Sequence, residues 1–366
     1  MPELPEVETV RRQLAPVLEG RRLERVEIRD GRLTRPLDPL EVAAELEGER
    51  VARVERRGKY LVVRFESGRA LLIHLRMTGS LRHLRGAAAD DPHARAVVRL
   101  DDGSDVLYRD VRRFGTWLVT EVEQLEPYLE ARLGEEPLDR EFTPTALARR
   151  LERRRAPVKA ALLDQRTVAG VGNIYADEAL WRARIHPLRL AGELERDEVR
   201  RLRDAVRRAL EAGIARQGAT LRDYRQPSGA EGGMQHEFKV YGRAGEPCDR
   251  CGTPIDKIRV AGRGTWYCPR CQPLDGYAAS SSSRRPVAVE PPQLRVAADR
   301  APVDQDLRHG PASGAVEERL AESRVVVEAE LLVREPAPVE QRLRAHAVAA
   351  PASRIDLNPC HYDGKR

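Results

Sequence analysis

The chain opens Met1-Pro2-Glu3-Leu4-Pro5-Glu6, and the rest of the sequence is best understood outward from these six residues. Chain ends are usually loose, so an N-terminus of such specific chemistry is unusual. Removal of Met1 would leave Pro2 with a secondary α-amine as the new terminus. An α-amine ionises at about pH 7.7–8.0, so a sizeable neutral fraction exists where a lysine is almost wholly charged. A neutral amine is a nucleophile that can form a Schiff base with a carbonyl or a sugar C1′. Glu3 beside it can give or accept a proton. Taken alone, the hexapeptide also fits a proline that merely stiffens an extended start. What separates the two readings lies further along the chain.

With 366 residues the chain has room for about two to three domains. Its 41% hydrophobic residues are enough for real cores, and a mean hydropathy of −0.55 points to a soluble protein. There is no run of ~18 apolar residues to span a membrane, and no basic-then-apolar secretory signal at the start. Five cysteines, four of them clustered, point to a metal in a reducing compartment rather than to a disulfide framework. The net charge is +6, while residues 281–366 hold 13 Lys+Arg and 13 Asp+Glu, so the excess sits in residues 1–280. A basic body is compatible with a polyanionic partner.

Val7, Val10, Leu14 and Val17 follow helical spacing, and Gly20 is a natural stop. Short β-type runs follow at 22–29, 51–56, 60–65, 70–75, 96–100 and 106–108. Glu66-Ser67-Gly68 and Asp101-Asp102-Gly103 are turn signals between them. The pattern suggests an antiparallel sandwich or barrel over roughly the first 125 residues, of which the sandwich, with flanking helices over residues 1–128, is the expectation. Three polar clusters fall on its turns: Arg56-Arg57-Gly58-Lys59-Tyr60, Ile73-His74-Leu75-Arg76-Met77-Thr78-Gly79 and Asp110-Val111-Arg112-Arg113-Phe114-Gly115. Each has an ordinary explanation by itself: a solvated strand end for Lys59, a core histidine for His74, packing for Met77 and Phe114.

Residues 135–225 read as helical. Pro157-Val158-Lys159 can open a helix, and Val168-Ala169-Gly170-Val171-Gly172-Asn173 places two glycines before an asparagine suited to cap the next one. Helix N-termini bind phosphate through free N–H groups and the dipole, although a capped hairpin needs no ligand. A long amphipathic helix over about 197–217 leads to a Gly-, Ser- and Pro-containing loop at 226–233. Over 236–272, Cys248-Asp249-Arg250-Cys251 and Cys268-Pro269-Arg270-Cys271 enclose 16 residues. This is the spacing of a tetrahedral zinc site, and four thiolates close the coordination sphere, so the one zinc is structural. Arg259, Gly262, Arg263, Gly264 and Thr265 make a β-hairpin with an arginine at its tip. Residues 277–366 open near Ser280-Ser281-Ser282-Ser283 and read as a low-complexity, disordered extension, with some helical potential at 321–333 and with Cys360 unassigned.

The N-terminal hexapeptide and the three clusters, in this order, closely resemble the formamidopyrimidine-DNA glycosylase family. The 159–178 stretch resembles its helix–two-turn–helix element, and Val240-Tyr241-Gly242-Arg243 with Gly262-Arg263-Gly264-Thr265 its zinc finger. The resemblance ends near Gln272. It implies a multidomain α+β enzyme that removes oxidised purines from double-stranded DNA and cuts the strand. In that reading Pro2 is the Schiff-base nucleophile and Glu3 the proton donor. Lys59 and Arg263 are further proton donors or sugar-phosphate contacts. His74, Met77, His93, Arg112, Phe114, Lys159, Asn173 and Tyr241 contact DNA, with Lys159 and Asn173 on backbone phosphates. The resemblance also implies a monomeric bacterial protein of the cytoplasm, at the nucleoid, without a membrane partner. Two alternatives stand beside it. The sister enzyme endonuclease VIII prefers oxidised pyrimidines, but usually carries Gly where Leu4 stands here. A catalytically inert zinc-finger DNA-binding module would not need Pro2, Glu3 and Lys59 together.

Overall fold

The computed structural model describes residues 1–86 and 91–274; the expected extension over 277–366, with Cys360, lies outside the described residues. Helix α1 (Leu4–Leu18) begins almost as soon as the chain does. Pro5 falls in its first turn, where a missing N–H costs nothing. Val7, Val10, Leu14 and Leu18 form its buried stripe.

That stripe packs on two four-stranded antiparallel sheets. Strands β1 (Leu23–Ile28), β6 (Ala94–Leu100), β7 (Asp105–Arg109) and β5 (Ser80–Leu84) make one, in that spatial order. Strands β2 (Val51–Arg57), β3 (Tyr60–Phe65), β4 (Arg69–His74) and β8 (Thr116–Glu121) make the other. The unbroken apolar run Leu61-Val62-Val63 follows from burial on both faces. Leu61, Val63 and Phe65 face the core shared with α1, while Val62 joins Leu72, Leu125 and Leu129 under α3 (Val122–Glu130). Successive side chains of a strand point to opposite faces, so a strand covered on both sides is apolar throughout.

The sequence reading does not anticipate β5, β8, α3 or α2 (Pro39–Leu46). β5 is five residues with polar Arg82 and His83 inside it, β8 starts directly after the Phe114-Gly115 turn, and α3 contains Pro127. Short elements of mixed pattern give little periodic signal.

The helical part comprises α4 (Pro144–Leu151), α5 (Val158–Leu163), α6 (Asn173–Ala183) and α7 (Arg196–Ala215). Ile174, Tyr175, Ala179 and Leu180 of α6 pack against Val199, Leu202, Val206 and Leu210 of α7. Leu4, from the chain start, belongs to this helical core rather than to that of the sandwich. Hairpin β9 (Asp256–Val260) and β10 (Arg263–Tyr267) turns through Ala261-Gly262. Both turn residues have positive φ, 47° and 73°, the geometry that matches strand twist in a two-residue hairpin. Trp181 of α6 packs with Val240, Cys248, Ile255 and Cys268 and seats the zinc finger on the helices.

Candidate active site

The N-terminal hexapeptide is locked onto the start of α6. The Glu3 carboxylate accepts from the amides of Gly172 and Ile174, both at 2.9 Å, and from Tyr175 at 3.3 Å. These are amides that a helix N-terminus leaves without partners, and the positive end of the dipole favours the carboxylate. Leu4 N donates to Gly170 O at 3.0 Å. A Cβ on Gly172 would stand 2.6 Å from Glu3 Oε1, and one on Gly170 2.6 Å from Leu4 Cδ1. The two glycines therefore exist to admit the chain start. Asn173 is the first helical residue and not the cap expected from sequence: the N-cap position is Gly172, and Glu3 supplies the oxygens. Pro2 is buried beside this contact.

Glu6 lies one turn further, wholly buried. It accepts from Glu3 N at 2.8 Å, Tyr175 Oη at 2.8 Å and Ala219 N at 2.7 Å. Burial, with the nearby Glu3 charge adding to it, pushes its carboxyl up to about 6.

Lys59 occupies the turn between β2 and β3. Gly58 N donates to the Glu136 carboxylate, which also pairs with Arg56 at 2.8 Å. The Lys59 ammonium itself makes no hydrogen bond or ion pair among the described residues, although the residue is buried. Burial holds it below the ordinary lysine range; Glu3 and Glu6 work against that and Arg263 with it. Next to it, His74 Nδ1 accepts from Arg76 N at 2.9 Å. Burial, then the Arg76 and Lys59 charges, bring the ring down to about 3, so it is neutral with Nε2–H free to donate. Arg263, at the start of β10, is exposed, and its guanidinium bonds to no described residue.

The structure differs from the expectation for Lys159. Its side chain is 0% exposed; Nζ lies 2.7 Å from Asp177 Oδ1 and donates to Gly264 O at 3.0 Å and Thr265 Oγ1 at 2.8 Å. A sealed ammonium with three acceptors has no surface to offer a phosphate. Lys159 anchors the zinc hairpin instead. Asn173 Nδ2 also donates to Gly264 O at 3.0 Å, while its Oδ1 has no partner. Tyr241 packs against Trp266 with ring centres 4.5 Å apart and planes tilted by 54°. Glu178 fixes the backbone there, accepting from the amides of Lys239, Val240 and Tyr241 at 2.9–3.1 Å.

Met77, Arg112 and Phe114 are brought together. Arg112 Nη1 donates to Met77 Sδ at 3.0 Å, and its guanidinium lies 4.9 Å from the centre of the Phe114 ring. Met77 is 38% and Phe114 48% exposed, an apolar cost that a packed surface avoids. Their two loops are tied by Asp110, which sequence reasoning missed. It accepts from Thr78 Oγ1 and from the amides of Arg112, at 3.2 Å, and Gly115, at 2.8 Å. His93 is half-buried nearby, its carbonyl accepting from Asp110 N at 3.0 Å.

Cys248, Cys251, Cys268 and Cys271 place their sulfurs within 4.8 Å of one another. Sγ–Sγ separations of 4.0 Å for Cys248–Cys271 and 3.5 Å for Cys251–Cys268 are far from a disulfide bond of about 2.05 Å. They bracket the edge of a tetrahedron with metal–sulfur bonds of about 2.3 Å. The four hold one structural zinc. Arg250 lies 4.0 Å over the Trp181 ring and binds its carbonyl at 3.2 Å, fastening the knuckle to α6.

Three family descriptions match successive parts of the chain: the formamidopyrimidine-DNA glycosylase N-terminal domain at residues 1–117, its H2TH domain at 133–225, and the zinc finger found in FPG and IleRS at 245–274. The formamidopyrimidine-DNA glycosylase of Symbiobacterium thermophilum is 51% identical over 304 residues, covering 80% of this chain and 99% of its own. MutM (FPG) of Thermus thermophilus superposes with a TM-score of 0.66 at 45% identity, over 74% of this chain and 98% of that one. A Lactococcus lactis FPG variant in complex with a Fapy-dG containing DNA gives 0.71 at 38% identity, over 75% and 100%. Among the described residues no helix is long and apolar enough to cross a membrane. The chain belongs to the formamidopyrimidine-DNA glycosylase family and is a zinc-finger DNA glycosylase of DNA repair.

Proposed function

We propose that this glycosylase is bifunctional: it excises oxidised purines such as 8-oxoguanine and formamidopyrimidines from duplex DNA and cuts the strand as an AP lyase. One observation carries the reading. The Pro2-Glu3 segment is held on the α6 N-terminus, and an unpaired, buried Lys59 sits within electrostatic reach of Glu3 and Arg263.

The target base lies inside the stack and has to be flipped out, at a cost of about a few kcal/mol. Met77, Arg112 and Phe114 fill the gap, with Arg112 donating to the orphaned base. The Pro2 nitrogen, freed of Met1, attacks C1′ and the base leaves; Glu3 takes up the proton lost by the amine and gives it to the sugar ring oxygen as the C1′–O4′ bond opens. The resulting imine acidifies C2′–H; loss of that proton breaks the C3′–O bond. Loss of a C4′ proton then breaks the C5′–O bond, so both phosphates leave. Lys59, held below the ordinary lysine range by burial, gives up a proton more readily than an exposed lysine and is suited to proton transfer. Arg263 faces the departing phosphate, and His74, His93, Asn173 and Tyr241 hold neighbouring backbone groups. In this reading the protein acts as a monomer, with catalytic, helical and zinc-finger domains at 1–128, 135–225 and 236–272.

Borohydride trapping on an 8-oxoguanine duplex tests nucleophile, Met1 removal and substrate at once. Wild-type protein is expected to form a covalent adduct and Pro2→Gly to lose most of it. A wild-type structure of Lactococcus lactis FPG holds an oxidised pyrimidine containing DNA (TM-score 0.70, 37% identity), so a matched oxidised-pyrimidine duplex is the necessary second arm. Faster trapping there would move the reading to the endonuclease VIII type.

A further inference from the structure

Residues 263–266 have three backbone groups and the Thr265 hydroxyl turned toward the helices or tied to groups that are. Gly264 O accepts from both Lys159 Nζ and Asn173 Nδ2, each at 3.0 Å. Thr265 Oγ1 accepts from Lys159 Nζ at 2.8 Å and donates to Arg263 O at 3.1 Å. Trp266 N donates to Asp177 Oδ2 at 3.1 Å. Asp177 and Lys159 bridge these contacts through their own 2.7 Å ion pair, both side chains 0% exposed. By contrast the Arg263 guanidinium has no protein partner among the described residues. Its position is thus set from its backbone inward and not by its own side chain. The hairpin tip, Ala261-Gly262, is exposed, and Gly262 O accepts from Arg259 Nε of the same hairpin at 3.3 Å.

A buried ion pair is a poor source of net stability, because desolvating two charges offsets their attraction. Here the pair contributes three directed bonds to one strand, which a hydrophobic substitute of the same size would not. We propose that Asp177 and Lys159 are positioning residues for strand cleavage: they fix β10 so that Arg263 meets the phosphate leaving from C5′. The proposal rests on the lyase reading above. In that step a C4′ proton is lost, the electron pair moves through the conjugated imine, and the C5′–O bond breaks with the pair going to phosphate. The guanidinium neutralises that developing charge, so a shift of the strand weakens this step more than Schiff-base formation at Pro2, which the hairpin does not hold.

The test uses the full-length zinc protein and its Lys159→Met, Asp177→Asn and Lys159→Met/Asp177→Leu variants on an abasic duplex. Adduct yield, the ratio of singly to doubly eliminated product, Tm, zinc content and the salt dependence of binding are measured. Lys159→Met strands a buried carboxylate and should lower Tm, while the double variant should recover much of it. In all three variants the ratio is expected to move at least tenfold toward the singly eliminated product, with trapping within about threefold of wild type. The slope of binding against salt should stay at the wild-type value, because Lys159 neutralises no phosphate. A product ratio that returns to wild type in the double variant along with Tm would reduce the pair to a purely structural role and overturn the proposal. So would an unchanged ratio, or a salt slope flattened by about one counterion in Lys159→Met. No trapping by the wild type would instead remove the lyase reading itself.

Discussion

The hydroxyl of Tyr175 donates to Glu6 Oε1 at 2.8 Å, so the first turn of α6 and the first turn of α1 share one buried carboxylate. Burial raises Glu6 from 4.5 to about 6. A raised carboxylate contributes stability that is full below its unfolded value and is lost as pH climbs through the folded one. Between about pH 4.5 and 6 this component falls by on the order of 2 kcal/mol. Glu6→Gln should remove that step from the difference between wild-type and variant stability curves. It should also cost about 1–3 kcal/mol at all pH values, since the new amide faces the Glu3 N–H donor. Denaturant titrations at a series of pH values measure both, and a difference curve without slope in this window would exclude the assignment.

Gly172→Ala is expected to cripple the enzyme while leaving it folded. The added Cβ would press on Glu3 Oε1 from 2.6 Å, and overpacking of this kind costs about 1–3 kcal/mol. Displacing a reacting group by about 1 Å can lose on the order of 100-fold in rate. Single-turnover excision, set against Tm, separates the two effects. Gly20→Ala is the control: a Cβ there meets nothing within 4 Å, so it should leave the excision rate unchanged, any stability cost arising only from its positive φ.

Removing the zinc, or replacing any of Cys248, Cys251, Cys268 and Cys271 by Ser, should abolish strand cleavage while the sandwich stays folded. The zinc finger's apolar core packs on Trp181 while β10 is also tied to Lys159, Asn173 and Asp177, so loss of the metal removes one of the two supports that place Arg263. Metal analysis paired with near-UV spectra of the apo protein provides the check; purified active protein without zinc would defeat the claim.

These expectations divide according to how the chain announces its residues. The four cysteines were legible because a metal knuckle needs its ligands two residues apart in covalent sequence. Pro2, Glu3, Lys59, Met77, Arg112 and Phe114 could be singled out only in combination, since each alone fits ordinary packing; the structure gathers Met77, Arg112 and Phe114 and sets Lys59 within electrostatic reach of Glu3. Asp110, Glu136 and Glu178 were not legible. Glu136 acts on Gly58 from 78 residues away, and one carboxylate among 58 acidic residues carries no local mark. Gly170 and Gly172 were visible as glycines, but the chain segment that requires them lies at the other end of the sequence. Lys159 was misassigned for a physical reason: lysine is almost never fully buried unless paired, and its partner Asp177 has no signature of its own.

The Arg112 guanidinium is presented on a loop fixed by Asp110 and Thr78, with its fork turned toward Met77 and Phe114. Its donors suit the O2 and N3 acceptors of cytosine, whereas adenine offers a donor at N6. An unpaired polar group costs about 1–3 kcal/mol, roughly ten- to a hundredfold in rate. 8-Oxoguanine opposite cytosine should therefore be cut much faster than opposite adenine, and Arg112→Ala should shrink that preference. Single-turnover rates showing equal preference in wild type and variant would refute it.

The grip of Glu3 on Gly172 spans 169 residues of sequence, and that separation has a consequence during synthesis. At ~5–20 residues per second, roughly 10–30 s pass on the ribosome between the emergence of the amine end and of the helix that aims it. Through that interval the sandwich can collapse around α1 while Glu3 still lacks its amides. A nascent or prematurely terminated chain that stops short of α6 thus carries the Pro2-Glu3 segment without the amides that fix it. On the proposed lyase reading, strand cleavage would become available only with the later helices, as a property of the finished product of translation.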